Sequence, residues 1–405
     1  PMLRFVSTLL LGLVCTSCAL QTETCNSDLK SDGNFTCNTL VRDASGTVSL
    51  SPTSASPATD RDVYVDNVFF TYEQIDEYKA RRKLIVASAT IDMGSQNSSE
   101  YLAQRLALAN EYIEKAVQND ASLVLFPEEF TGYVEDTVPG VASANLSAAA
   151  KKHGIFIGFG MQQTEVTSDG KKVYNSNVLI DDEGNIVAVY HKAFPCCPDP
   201  FGVKPSPFAE NVNPGTSPLV LDTKLGRIGF ATCFDANFPE LWQGLSALGA
   251  DLILWPSAYA GGMPLSAYSM LYHYQIVANG IGLVFDPVGQ LASDLKQVSP
   301  KLWMATVDLD SAVLHDNFQN DKIAQLLHDH AGDVEQVDSP LLTQAGFHYL
   351  RRTQAGYDKG VEVRALLKKY DIVTLRQYAN FARQQINIAK QSHHVVSDPR
   401  RANGL

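Results

Sequence analysis

From residue 83 to about 312 the chain alternates short unbroken apolar runs with longer stretches whose apolar residues recur every three or four positions. The short runs predict buried strands over 83–91, 122–126, 154–160, 177–181, 186–191, 227–233 and 252–255, with Asp182-Glu183-Gly184-Asn185 as a turn. The longer pattern predicts an amphipathic helix over 99–117, with Ser98 or Ser99 as N-cap, and helices over 142–153 and 240–247. Alternation of this kind builds sheets with helices on their outer faces.

The flanks differ in texture. Residues 20 to about 60 are rich in Ser, Thr, Asp and Asn, and 51–57 reads as a linker. Beyond about 312, helical periodicity returns over 323–330, 361–370 and 374–389. The last two segments could form a helix-turn-helix, but no basic recognition face accompanies them, which favours ordinary packing helices in an accessory or oligomer-forming segment. The expected division is a signal segment at 1–19, a polar extension at 20–80, a catalytic domain at 81–315 and a helical extension at 316–405.

Composition narrows the function. Of 405 residues 45% are hydrophobic and 19% charged, enough apolar content for a large core. A net charge of −12 argues against nucleic-acid binding, since no excess of Lys and Arg exists to neutralise phosphates. Arg4, the apolar run 5–15 and small residues through Ala19 have the layout of a secretory signal. The run is too short for a comfortable membrane span, so a secreted protein is expected. Sequons at Asn34, Asn97 and Asn145 make these residues glycosylation candidates.

Of seven cysteines, Cys15 and Cys18 would leave with the signal, and Cys25 and Cys37 could pair in an oxidising compartment. Cys196 and Cys197 are adjacent, an awkward geometry for a mutual bond. Cys233 remains as a lone thiol in an apolar stretch. His191, His273, His328, His330 and His348 show no ligand spacing, so neither metal nor cofactor is expected.

Three reactive side chains end apolar strands: Glu128 after 122–127, Lys192 after 186–191, and Cys233 after 227–232. A thiol needs a base during attack, and Glu128 could take its proton. Attack on an amide carbonyl creates an oxyanion, which the Lys192 ammonium and the Phe234 backbone N–H could stabilise. Singly, each residue has an ordinary structural explanation: a turn carboxylate, a surface cation, an inert core thiol.

In order and with their neighbours, they resemble the Glu-Lys-Cys triad of the carbon–nitrogen hydrolase (nitrilase) superfamily. The matching segments are Leu125-Phe126-Pro127-Glu128, Tyr190-His191-Lys192, Thr232-Cys233-Phe234-Asp235 and Phe238-Pro239-Glu240. Tyr174-Asn175-Ser176-Asn177-Val178 and Asp251-Leu252-Ile253-Leu254-Trp255-Pro256-Ser257 support them. The resemblance implies a four-layer αββα sandwich, ping-pong hydrolysis of a small-molecule amide through a thioester, and a tendency to homo-oligomerise. The secretory start, Tyr-His-Lys and Thr-Cys-Phe-Asp most resemble the vanin and biotinidase branch, which hydrolyses secondary amides of pantetheine or biotin type. Phe-Pro-Glu instead looks like the ω-amidase and carbamoylase branches.

Two departures stand out. The family's second glutamate, expected soon after the lysine, has Glu210 as its counterpart, with Asp199 a weaker substitute. One strand is missing from the pattern near residue 280, where Ala278-Asn279-Gly280 runs directly into Ile281-Gly282-Leu283-Val284-Phe285; the expected reading is a missing coding segment. An inactive binding protein on the same scaffold, a nitrilase or carbamoylase, and an acyltransferase are the alternatives.

Overall fold

The computed structural model describes residues 21–25, 37–42, 47–52, 83–168, 170–197, 210–216, 218–280, 282–317 and 319–392. The expected signal segment, Asn34 and Asp199 lie outside the described residues.

Strands β1 (Gln21–Cys25), β2 (Cys37–Arg42) and β3 (Thr47–Pro52) come first. They are followed by β4 (Lys83–Ala89), helix α1 (Ser99–Val117), β5 (Leu123–Leu125), α2 (Val141–His153), β6 (Phe156–Thr167), β7 (Gly170–Ile180) and β8 (Ile186–His191). Next are β9 (Leu219–Asp222), β10 (Arg227–Phe230), a 3₁₀ turn (Cys233–Asn237), α3 (Pro239–Ala247), β11 (Leu252–Trp255) and α4 (Met263–Tyr272). Strands β12 (Gln275–Ala278), β13 (Leu283–Phe285), β14 (Lys296–Ser299) and β15 (Leu302–Asp308) complete the series. One sheet has the order β1-β2-β3-β9-β10-β11-β12-β13 and the other β14-β15-β4-β5-β6-β7-β8.

These are the inner layers of an αββα sandwich. Leu123 and Leu125 of β5 and Leu252 and Leu254 of β11 share the core between the sheets. The alternate residues point outward: Val124 packs with α1 and α2, and Ile253 and Trp255 with α3 and α4. A strand covered on both faces has no solvent side, which is why these segments read as unbroken apolar runs. Ser98 caps α1, its Oγ accepting the Tyr101 N–H at 3.1 Å.

The expected gap near residue 280 is corrected by the structure. β12 and β13 are two strands, paired antiparallel from Ile276–Phe285 to Ala278–Leu283 and joined by a short turn. The segment Gln275–Ala278, fully buried between α4 and the turn, supplies the strand missing from the sequence pattern. At that turn Asn279 (1% exposed) donates from Nδ2 to Ala89 O at 2.7 Å and Leu125 O at 3.1 Å, tying one sheet to the other.

The C-terminal extension has the expected helices and also a sheet. β16 (Ala312–His315), α5 (Asn320–Asp329), β17 (Val334–Gln336), α6 (Pro340–Ala345), β18 (Phe347–Arg352), α7 (Gln354–Asp358), α8 (Val363–Lys369) and α9 (Leu375–Ser392) follow in order. β18 lies between β16 and β17. Val363 and Leu367 of α8 are buried with Leu314, Ile323, Leu326 and Leu350, so α8 is a packing helix.

The backbone register sets Cys25 opposite Cys37. Asn97 and Asn145 are exposed. No helix among the described residues is long and apolar enough to cross a membrane.

Removing the Asn279 amide takes one donor from each of two carbonyls in the second sheet. Asn279→Ala is expected to cost about 2–3 kcal/mol, read as a lower denaturant midpoint at unchanged slope; an unshifted midpoint would show that the sheets do not depend on this clasp.

Candidate active site

Each proposed catalytic side chain leaves its sheet where regular pairing ends. Beyond β5, Pro127-Glu128-Glu129 turns tightly under Gly160 of β6. A Cβ at Gly160 would stand 2.5 Å from Pro127 O and 2.6 Å from Glu128 Cα, so this approach requires glycine. Lys192 follows β8, its N–H bonded to Asn175 O at 2.8 Å. Cys233 follows β10 on the opposing sheet, where its N–H bonds Pro256 O at 3.1 Å and its φ is +45°. A left-handed non-glycine residue is held there by its surroundings and points its thiol off the sheet end.

The three side chains meet. Lys192 Nζ donates to Glu128 Oε1 at 2.7 Å, and both residues are buried. Glu128 Oε1 also accepts Asn175 Nδ2 at 2.9 Å, and Oε2 accepts the Ala258 N–H at 3.0 Å. Cys233, 8% exposed, lies close enough to Glu128, Lys192 and Ser257 for each to act on its thiol. Glu210 joins from the other side of the lysine: Oε1 accepts Lys192 Nζ, and Oε2 accepts Asn175 Nδ2 at 3.2 Å.

The electrostatics follow from burial and these contacts. Burial pushes the Cys233 thiol well up and Glu128 adds to this, against the pull of Lys192. Burial alone would lower the Lys192 ammonium, but Glu128, Cys233 and Glu210 together outweigh it and hold it above the ordinary lysine range. Glu129 is pushed up to about 8 by burial first, then by Glu128 and Glu210. Tyr259, at 40% exposed beside the thiol, is raised to about 12 by burial first and then by Cys233. Phe194 stacks on Phe238 at 3.8 Å, and Phe234 meets Phe238 edge-on at 5.5 Å. The Phe234 N–H opens the 3₁₀ turn, where N-terminal amides lack an intrahelical acceptor.

Sequence reasoning passed over Asn175, Ser257, Ala258, Asp235 and Glu129. Asn175 and Ser257 lie in segments that matched the family pattern, but strand periodicity says nothing about which strand ends come together. Cys196 and Cys197, whose adjacency argued against a mutual bond, are joined by a disulfide, with Cys197 in left-handed backbone (φ +66°). The Cys196 carbonyl accepts the Glu210 N–H at 3.2 Å, tying the bridge to the second glutamate. His191 stacks on Tyr174 at 3.8 Å. Among the described residues no three His, Cys, Asp or Glu side chains are placed to hold a metal ion.

The profile of the Carbon-nitrogen hydrolase family matches residues 85–314. The chain belongs to the carbon–nitrogen hydrolase family. It is similar to human deaminated glutathione amidase, 24% identical over 239 residues that make up 51% of this chain and 73% of that protein. Nitrilase homolog 2 of Dictyostelium discoideum is 31% identical over 162 residues, 37% of this chain and 48% of that protein. The omega-amidase NIT2 of Danio rerio is 28% identical over 169 residues, 40% and 60% of the two chains. Among solved structures, Saccharomyces cerevisiae Nit3 of the nitrilase superfamily covers 56% of this chain and 90% of its own at 22% identity and a TM-score of 0.47. The deaminated glutathione amidase and the omega-amidase are named for amidase activity, not as vanins or biotinidases.

Glu129 makes the pH dependence of stability predictable. A carboxyl raised in the folded state contributes stability that is present below its unfolded pKa and lost as pH rises through its folded one. Tm is expected to fall between about pH 4 and about pH 8, and Glu129→Gln to flatten the upper part of that fall. A variant with the same slope would mean that the Glu129 carboxyl is solvated.

Proposed function

We propose that this hydrolase cleaves a small linear amide through a thioester on Cys233, with Glu128 as general base and Lys192 stabilising the oxyanion. The observation that carries the reading is the convergence of Glu128, Lys192 and Cys233 from two sheets, with the thiol under the influence of the carboxylate that also holds the lysine. The relatives named as amidases support the amide as substrate.

A thiol pushed above its ordinary pKa stays protonated in the free enzyme, so its proton must move as the bond forms. Sγ attacks the carbonyl carbon and its proton passes to Glu128. The tetrahedral oxyanion is met by Lys192 and the Phe234 N–H. As the C–N bond breaks, Glu128 gives the proton to the leaving amine. Glu128 then takes a proton from water, which attacks the thioester, and returns it to the departing thiol. Glu210 and Asn175 hold Lys192 and Glu128 in register throughout.

For the acyl group we favour an uncharged chain, as in pantetheine or biotin amides. The cation that the described groups bring to the site is Lys192, already shared by two carboxylates, and a substrate carboxylate would add a further negative charge. Tyr190-His191-Lys192 and Thr232-Cys233-Phe234-Asp235 point the same way. Export through a cleaved signal is part of this reading, with glycans at the exposed Asn97 and Asn145. The paired β12 and β13 and the seating of Glu210 on Lys192 favour an active enzyme over an inactive scaffold, since both features had pointed to inactivity in the sequence.

The test is mass spectrometry of the protein after brief exposure to pantetheine, a biotinyl amide, ω-amides and carbamoyl amino acids, with competing amines in parallel. A mass gain on the Cys233 peptide is expected from the first two, absent in Cys233→Ala. Glu128→Gln should lower kcat by at least about 10²-fold. Folded protein that gives no adduct with any amide would return the inactive scaffold to favour, and amine adducts in the product would indicate acyl transfer.

A further inference from the structure

Lys192 and Cys233 stand at the ends of strands in different sheets, and no hydrogen-bond ladder runs from one sheet to the other there. Their separation must be fixed by side chains that cross the seam. One carboxylate spans it with three contacts. Asp235, fully buried in the 3₁₀ turn, accepts the Thr232 N–H at 2.7 Å and the Tyr190 O–H at 2.8 Å on Oδ2, and the Phe194 N–H at 2.9 Å on Oδ1. Thr232 immediately precedes the nucleophile, while Tyr190 and Phe194 flank Lys192 at two residues on either side. The Tyr190 oxygen also accepts the Ala193 N–H at 3.2 Å, so the segment around the lysine is held at three points.

The backbone of Asp235 is anchored as firmly as its carboxylate. Its N–H bonds Thr232 O at 3.0 Å, and its carbonyl accepts the Phe238 N–H at 3.2 Å and Trp242 Nε1 at 2.9 Å. Trp242, a residue of α3, is fully buried. The carboxylate therefore transmits a position set by the helix layer of one sheet to the strand end of the other.

We propose that Asp235 is the positioning residue that sets the Lys192–Cys233 register across the sandwich, and that loss of its three-donor clasp misaligns thiol and oxyanion donor without dismantling the fold. It touches neither substrate nor Sγ; it acts through Thr232, Tyr190 and Phe194. This rests on the thioester reading above.

The chemistry of the acceptor explains why aspartate is suited to the place. Two oxygens accept from three donors arriving from two directions, and an amide cannot: after Asp235→Asn the new NH₂ group must face at least one of those N–H or O–H donors. Burial and the carboxylate's own charge work against each other here, and the group is held up at about 7 by burial, moderated by Thr232, Lys192, Tyr190 and Phe194. The clasp is thus a costly one, retained where register matters.

The test is the rate at which iodoacetamide alkylates Cys233, measured far below the melting temperature together with kcat and KM. Wild type should react fast and in a Glu128-dependent manner; slow alkylation that Glu128→Gln leaves unchanged would sink the catalytic reading itself. Given that, Asp235→Asn is expected to stay folded by circular dichroism, with alkylation and kcat lower by about 10- to 100-fold and KM within about 3-fold. Tyr190→Phe should lower both about 3-fold, and the double variant should match Asp235→Asn alone, because the phenol acts through the carboxylate. A folded Asp235→Asn protein alkylated at the wild-type rate overturns the proposal. Should that variant not fold, Tyr190→Phe decides: a slowed rate supports the clasp, an unchanged rate overturns it.

Discussion

A lysine ammonium with almost no access to water cannot stand alone, because the cost of stripping its hydration is several kcal/mol unless opposite charge meets it. Lys192 is met twice, by Glu128 at 2.7 Å and by Glu210. The site depends on that arrangement. Glu128 is fixed because Lys192, Asn175 and the Ala258 N–H occupy its oxygens. Glu210 is held in turn by its own N–H, which donates to the Cys196 carbonyl at 3.2 Å. Removing either carboxylate would strip the buried ammonium of one of its two counter-charges, which is why the pair is a structural constraint before it is a catalytic one.

The same burial that makes the lysine need its partners makes the thiol hold its proton. Cys233 is pushed up by desolvation and by the adjacent carboxylate. Attack and proton transfer are coupled by this, and Glu128 is the neighbouring acceptor. Strain contributes too: Cys233 sits at φ +45°, a conformation tolerated because its N–H is taken by Pro256 O and the preceding Thr232 N–H is held by the Asp235 carboxylate. Rigidity around the nucleophile is paid once, by the packing of Trp242 and the 3₁₀ turn against the helix layer.

The C-terminal unit is joined to this body by cations rather than by apolar surface alone. Arg376 of α9 donates to the carbonyls of Ala250, Tyr272 and His273, at distances from 2.6 to 3.1 Å, and Arg364 reaches Asp251 at 3.3 Å. These contacts fall on the loops before β11 and after α4, on the same sheet that carries Cys233. The extension thus braces the nucleophile's sheet, and Arg352 ties it to Asp308 of the second sheet as well.

Local pattern by itself determined the layers: runs such as Leu252–Trp255 are apolar at every position because both faces are covered, and Ser99–Val117 is periodic because one face is not. It also determined the three strand ends that carry Glu128, Lys192 and Cys233, since a reactive residue closing an apolar run is visible in one dimension. What it could not determine was which ends meet. Asn175 and Glu210 converge on one lysine only after β7 pairs with β8 and Glu210 is seated beside Asn175. Asp235 became a cross-sheet clasp only when two sheets with no shared ladder were stacked. The strand Gln275–Ala278 was misread because a four-residue buried run carries no period that separates strand from helix, and only its pairing with β11 and β13 settles it. Proximity between residues far apart in sequence is a property of packing, and packing is decided by the whole chain.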